Sequence, residues 1–284
     1  MNKKKLTSFF INQRENRFKG LFRILLQIVS FSLLFLFIVV STFKLSGILE
    51  IENSVLGWMM SECFFLLVAL GITFLLGKYV DKRRWNKFGF KFNKQAVIDY
   101  FFGVIITGVV VCLSIFIMVK FSTLNIEKVR GLNWQLLYVL VSCICIGIYM
   151  ELLRSYQVLN LSESLAWKDY FTPKGAAIMA VIISAFLFSA GELIGTESAV
   201  NLFLYFMRAL MLAGGYVFTR NLALSIGLHT GYNIFRDNIF SYQGEGAFLL
   251  GKNIVFDKKR TPWYNFGVAN QKTKEVITNE LYPK

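Results

Sequence analysis

The chain has 284 residues, of which 55% are hydrophobic and 17% are charged. Soluble domains usually contain about 45–50% apolar and about 25% charged residues, so the composition excludes a soluble globular domain. The aromatic content of 16% excludes an intrinsically disordered chain. In a soluble protein the net charge of +14 would suggest a nucleic-acid partner. In a membrane protein the charge instead reports which segments face the cytoplasm, so no nucleic-acid partner is predicted.

Apolar runs of about 20 residues recur along the chain and predict an all-α, polytopic transmembrane helix bundle. A helix of about 20 residues crosses the hydrocarbon core of a bilayer, and continuous apolar runs favour helices over the strands of a barrel. Six runs are strongly apolar, whereas a seventh contains His229, Asn233 and Arg236. The predicted spans are roughly 22–43, 55–77, 100–119, 134–153, 175–195, 198–219 and 221–241.

Lysine and arginine are concentrated in two segments, which set the predicted orientation. Seven basic residues lie in 1–23 and seven lie in 78–94. By the positive-inside rule both segments are cytoplasmic, and we predict a multi-pass protein of the plasma (inner) membrane. The first apolar run is too long for a signal peptide and is predicted to be retained. With seven spans the basic tail from about 242 would lie outside. A re-entrant seventh segment, or a short eighth span near 245–255, would resolve this conflict.

Ionisable side chains inside the predicted spans are the first candidates for function, because each costs about 2.5–3.5 kcal/mol at the centre of a membrane helix. Glu151 and Arg154 are three residues apart and share one helix face. His229 and Asn233 are four residues apart and also share a face. The ionisable candidates are Glu62, Glu151, Arg154, Glu192, Arg208 and His229.

If the helices that carry these residues meet, carboxylates, a guanidinium, an imidazole and an amide converge in a pocket of low dielectric. Such a group could activate a water molecule and stabilise an oxyanion. The alternative for each residue is structural. An ion pair near a helix end would explain Glu151 and Arg154, and solvation at a helix end would explain Glu192. Packing would explain His229, and the other two ionisable residues would pair or reach the membrane surface.

The order and spacing of these residues resemble the CPBP family of intramembrane proteases, the CAAX-processing and bacteriocin-processing group also called Abi. Members carry Glu-Glu-x-x-x-Arg at a helix end, Phe-x-x-x-His about forty residues later, and His-x-x-x-Asn on a later helix. The third motif is intact here as His229 and Asn233. The preceding run 214–221 and the basic segment 81–90 are also typical of the family, so the resemblance extends over about 20–240.

The first two motifs depart from the family pattern. Met150 and Glu151 stand where the family has two glutamates, and the arginine comes one residue early, at Arg154 instead of Ser155. Glu192 stands where the family has a histidine. Of the two glutamates that the family carries in its first motif, only one is therefore present.

The resemblance implies a role for each site residue. Glu151 would be the general base and Arg154 would orient it. His229 and Asn233 would lie on the oxyanion side. Glu192 would bind water, or would bind a divalent metal such as zinc together with His229.

These patterns divide the chain into four predicted regions. A basic cytoplasmic N-terminus is followed by N-terminal transmembrane helices that contain a basic cytoplasmic loop at 78–99. A core that resembles the CPBP family follows, and then a polar C-terminal tail. The regions are 1–23, 24–133, 134–241 and 242–284.

Three functions remain open at this point. The preferred one is an intramembrane endopeptidase that cleaves a CAAX-type C-terminus, a leader peptide or a bacteriocin precursor. The altered motifs favour a second, a catalytically inactive member that acts as a bacteriocin immunity factor or membrane-complex adaptor. A transporter that uses Glu62, Glu192 and Arg208 is the third, but the chain lacks the internal repeats typical of transporters. The predicted partners are the lipid bilayer and a membrane peptide or protein.

Overall fold

The computed structural model describes residues 11–12, 17–49, 55–121, 124–129, 135–166, 171–192, 199–241 and 248–252. Within these residues the chain forms seven α-helices. They are α1 (Gly20–Leu49), α2 (Val55–Leu75), α3 (Lys94–Lys120), α4 (Gln135–Ala166), α5 (Pro173–Glu192), α6 (Ala199–Thr219) and α7 (Leu222–Tyr232). Shorter helical segments are the π-helix Leu76–Val80, the 3-10 helix Trp85–Phe88 and the π-helix Asn233–Ile239.

Two small sheets lie at or beyond the ends of the predicted spans. β1 (Ile11–Asn12) pairs antiparallel with β2 (Arg17–Phe18) directly before α1. In the second sheet β5 (Phe248–Lys252) lies between β3 (Leu124–Val129), to which it is antiparallel, and β4 (Phe240–Ser241), to which it is parallel. The apolar pattern of the sequence does not predict these short strands.

The helices α1 to α6 are each long and apolar enough to cross a membrane. The prediction of an all-α, polytopic transmembrane bundle is therefore confirmed. The helix that contains the fourth span extends beyond the predicted end of that span and continues to Ala166. Its last turns carry polar residues that bond to the basic segment 78–94 instead of facing lipid.

The seventh predicted span runs from one end of the bundle to the other. Leu222 begins α7 and donates its N–H to the carbonyl of Gly89, at 3.0 Å, beside the basic segment. The π-helix after α7 leads into β4, which lies in one sheet with the strand that follows the far end of α3. This segment is not among the six helices that are long and apolar enough to cross a membrane, so both the seventh crossing and the re-entrant segment stay predictions. Of the suggested eighth span near 245–255 the structure describes residues 248–252, which form the strand β5 and not a helix.

Helix α4 lies at the centre of the bundle and contacts α1, α2, α5, α6 and α7. In its most apolar window 44% of the residues are buried, compared with 22–28% in the windows of the other five spans. A helix that faces protein on most sides can carry polar side chains that lipid would not tolerate. The first predicted site residues, Glu151 and Arg154, lie on this helix.

Small residues let α3 and α7 approach each other closely. A Cβ atom added at Gly227 of α7 would lie 2.1 Å from the carbonyl oxygen of Tyr100, and one added at Gly103 of α3 would lie 2.7 Å from that of Leu224. Gly231 is four residues after Gly227 and touches α3 in the same way. Spacing of small residues by four positions is a common basis for close helix contact in membranes. This contact fixes the helix that carries His229.

We expect Gly227→Ala to destabilise the protein by about 1–3 kcal/mol, because the new methyl group meets a backbone oxygen that cannot move without separating the helices. Gly71→Ala is the matched control, since a Cβ atom there meets nothing within 4 Å. The control should be neutral or slightly stabilising, as alanine favours helix over glycine. Unfolding of the purified variants in detergent measures both effects, and equal stability of the two would contradict the close contact.

Candidate active site

Glu151, Arg154 and His229 form a buried cluster between α4 and α7. The Glu151 Oε1 atom accepts a hydrogen bond from Arg154 Nη1 at 2.6 Å and lies 2.9 Å from His229 Nδ1. The three residues are only 1%, 3% and 5% exposed. One carboxylate oxygen thus joins the first and third motifs, although 78 residues separate Glu151 from His229.

The ion pair fixes the hydrogen-bonding role of the histidine. Glu151 Oε1 accepts a hydrogen bond from Arg154 Nη1, and a carboxylate oxygen in such an ion pair is an acceptor. We therefore assign the donor role in this contact to His229 Nδ1. In a neutral imidazole that carries its proton on Nδ1, the other nitrogen, Nε2, is the acceptor. Nε2 lies on the far side of the ring from Glu151. The cluster can thus present a base to a molecule on the side of His229 away from Glu151.

The ring of Phe188, on α5, contacts two members of this cluster. The sequence analysis did not place Phe188 among the site residues. Its ring centroid lies 4.3 Å from Arg154 Cζ and 6.5 Å from the His229 ring, in an edge-to-face arrangement. A guanidinium over an aromatic face gains about 0.5–2 kcal/mol, more when it is desolvated. The signal in the sequence was its position four residues before Glu192, where the family motif has phenylalanine.

Arg208 brings a second guanidinium to the same ring. Its Cζ atom lies 6.0 Å from the centroid of Phe188, 5.1 Å from that of Tyr205 and 5.3 Å from that of Tyr232. The sequence analysis listed Arg208 as an intramembrane ion but gave it no motif. Its presence on α6, beside a ring that also contacts Arg154 and His229, adds this helix to the site.

The remaining two predicted site residues are located only in part. Asn233 is half-buried at the end of α7, and its backbone N–H donates to the carbonyl oxygens of His229 and Thr230. It begins the π-helix, a conformation that is frequent at functional sites. Glu192 ends α5, but its side chain lies outside the described residues. Its predicted contact with water or metal therefore stays a prediction.

Glu62 has a structural partner away from this cluster. Tyr149 on α4 donates its hydroxyl to Glu62 Oε2 of α2 at 3.0 Å, and Glu62 is 8% exposed. Tyr149 is two residues before Glu151, and residues two apart on a helix do not face each other. This carboxylate therefore bonds on another face of α4 than the candidate site.

The described side chains do not fit a metal centre at this site. Catalytic zinc usually has three protein ligands. Among the residues that the structure describes, no three His, Cys, Asp or Glu side chains lie close enough to hold a metal ion together. The cluster supplies one imidazole and one carboxylate that is already ion-paired with Arg154. We therefore derive no catalytic step through a metal.

A family model described as type II CAAX prenyl endopeptidase Rce1-like matches residues 132–235. The matched segment begins just before α4 and ends inside the π-helix, so it contains the whole cluster. This segment is similar to that family. The resemblance inferred from the three motifs is thus confirmed, although the match is narrower than 20–240. The chain matches no curated protein and no solved structure.

Met150 and Ser155, the two first-motif positions at which the sequence departs from the family pattern, make structural contacts. Met150, where the family has the first glutamate, packs against a core formed by Phe65, Ala69, Tyr149 and Leu153 between α2 and α4. The position at which the family has arginine holds Ser155 in this chain, and its hydroxyl donates to the carbonyl of residue 152 in its own helix. The shift of the arginine by one residue puts Glu151 and Arg154 in the i,i+3 pair that is observed.

Proposed function

We propose that this CPBP protein is an intramembrane endopeptidase whose catalytic centre is the Glu151–His229 pair. The observation that carries the proposal is the 2.9 Å contact between a buried carboxylate and His229 Nδ1. A base oriented by a carboxylate is a recurring arrangement in hydrolases. The match to a family of prenyl endopeptidases supports the same reaction class.

In the proposed reaction His229 Nε2 takes a proton from water, and the resulting hydroxide attacks the carbonyl carbon of the scissile peptide bond. Glu151 holds the ring through Nδ1 and stabilises the imidazolium that forms. The protonated imidazole then gives its proton to the leaving amine, so that one water and one peptide bond become an acid and an amine. We assign the base to His229 instead of Glu151, because Glu151 Oε1 already accepts two hydrogen bonds.

Two further residues have supporting roles in this proposal. Arg154 pairs with the carboxylate and stacks on Phe188, which limits movement of the acid during the reaction. Asn233 lies one turn from His229 on the same helix face, and its amide is a donor suited to the oxyanion of the tetrahedral intermediate.

Substrate identity is tested with purified protein in liposomes. We expect cleavage of a peptide with a farnesylated CAAX-type C-terminus, with release of the residues that follow the modified cysteine, detected by mass spectrometry. The same peptide without the farnesyl chain, a leader peptide and a bacteriocin precursor complete the panel. Cleavage of one of the latter two alone would assign the substrate differently, and cleavage of none would contradict the endopeptidase proposal.

A second candidate function is binding without catalysis, as an immunity factor or adaptor. Two observations favour it: Met150 packs in the core where the family has a glutamate, and Glu192 replaces a histidine. In that case Glu151→Gln would leave the cellular phenotype unchanged. For an endopeptidase the same substitution would abolish the phenotype.

The zinc prediction has its own test. Metal analysis of the purified protein and of Glu192→Gln shows whether an ion is bound and whether Glu192 contributes. Zinc in the wild type that falls in the variant would support the predicted pair of Glu192 and His229. Equal zinc in both would exclude Glu192 as a ligand.

A further inference from the structure

A cavity of about 610 Å³ opens between α3, α7 and the end of the basic segment 78–94. Its walls are almost entirely apolar and include Phe90, Val97, Phe101, Leu222 and Ile226. Sites for small ligands usually measure about 300–1,000 Å³, so the cavity has room for a long aliphatic chain. This space is separate from the Glu151–His229 cluster.

The segment whose end lines the cavity is strongly cationic. The segment 78–94 contains seven basic residues and a single acid, Asp81. Asp81 is 1% exposed and ion-paired with Arg23, so it does not offset the charge on the surface. Six of the basic side chains are exposed, and of the seven only Lys91 lines the cavity.

Aromatic side chains beside Lys91 suit the boundary between lipid and water. Phe90 lines the cavity, and its ring stacks on that of Phe92 with 6.0 Å between centroids. Phe92 is 91% exposed, so its ring is accessible to surrounding lipid. Phe90, Lys91 and Phe92 thus place two aromatic rings and one positive charge together at the entrance to an apolar space.

We propose that this cavity binds an anionic phospholipid of the membrane, with one acyl chain in the apolar space and the phosphate group on Lys91. The apolar lining matches the chain, and the exposed ammonium group of Lys91 at the cavity matches the headgroup. Basic side chains at a membrane surface each add attraction to anionic lipids, and a cavity beside them gives that attraction a defined position. This inference does not depend on the proposed peptidase activity.

The position of the cavity connects bound lipid with the candidate site. Ile148 and Ile226 form part of its wall, and each lies three residues, about one helical turn, before Glu151 and His229 respectively. A chain in the cavity would therefore contact α4 and α7 next to the pair without touching the pair itself. Bound lipid would help to hold α4 and α7 at the distance that the Glu151–His229 pair requires.

The test uses full-length protein purified in detergent and freed of lipid. The unfolding temperature is measured during titration with phosphatidylglycerol or phosphatidylcholine of the same acyl chains, and with inorganic phosphate. We expect stabilisation by phosphatidylglycerol at lower concentration than by phosphatidylcholine, and none by phosphate. Lys91→Gln should raise the half-saturating phosphatidylglycerol concentration about fivefold.

Two further variants separate a defined site from diffuse attraction. Lys87→Gln removes an exposed lysine of the same segment that does not line the cavity, and should change the half-saturating concentration much less than Lys91→Gln. Ala223→Phe adds volume to the wall and should weaken phosphatidylglycerol binding without lowering the unfolding temperature in detergent alone. Equal effects of Lys87→Gln and Lys91→Gln, or unchanged lipid binding by the folded Ala223→Phe protein, would overturn the proposal.

Discussion

Replacing Glu151 with glutamine is expected to lower the rate of substrate cleavage by about 10²–10⁴-fold, the usual contribution of general acid–base catalysis. Glutamine has nearly the same shape but no charge, so it cannot stabilise the imidazolium that forms on His229. It also cannot pair with Arg154 as a carboxylate does. Initial rates with a peptide that the wild type cleaves measure the effect.

Glu62→Gln is the matched control for this prediction. Glu62 is also a buried carboxylate in a membrane helix, but it bonds to Tyr149 outside the cluster. Its replacement should leave the cleavage rate within a few fold of the wild type. His229→Ala should lose about as much activity as Glu151→Gln, and the double variant little more, since residues that act as one unit are not additive. Equal losses for Glu62→Gln and Glu151→Gln would indicate a general effect of buried charge.

Replacing Arg23 with glutamine is expected to destabilise the folded protein by about 3–5 kcal/mol, because it leaves Asp81 as a buried charge without its ion-pair partner. Arg23 is 2% exposed, and its Nη1 lies 2.8 Å from Asp81 Oδ1. The same arginine also reaches Glu163 at 3.4 Å, so it links α1, the basic segment and α4. The free energy of unfolding in detergent measures the effect.

Arg84→Gln is the control here, as Arg84 is exposed in the same segment. It should cost little, because exposed ion pairs usually contribute about 0–1 kcal/mol. The double variant Arg23→Gln/Asp81→Asn should recover part of the loss, since it removes both buried charges. A similar loss for Arg84→Gln and Arg23→Gln would show that overall charge, not the buried pair, stabilises this end of the bundle.

Membrane spans could be predicted from the sequence, because the bilayer imposes the same length and apolarity on every helix. Features that depend on contacts with neighbouring helices could not be predicted from the sequence. The polar end of α4 continues as helix to Ala166, since it bonds to the basic segment and not to lipid. The hydropathy of the sequence does not predict the short strands or the π-helix after α7.

The same distinction holds for the site. Helical spacing alone predicts the pair of Glu151 and Arg154, because both lie on one helix. The contact between Glu151 and His229 required knowing that α4 and α7 touch, and the glycines that bring α7 close to α3 became meaningful only with the structure. Arg208 had no motif, because two of the three rings around it, Phe188 and Tyr232, lie on other helices.

The most direct test of the Glu151–His229 pair uses the fact that His229 is the only histidine in the sequence. Protein labelled with ¹⁵N-histidine, and purified with a tag that contains no histidine, gives one imidazole in the nitrogen NMR spectrum. We predict a proton on Nδ1 in a strong hydrogen bond, and a clear change of both nitrogen shifts in Glu151→Gln but not in Glu62→Gln. A ring protonated only on Nε2, or a spectrum that Glu151→Gln leaves unchanged, would contradict the account.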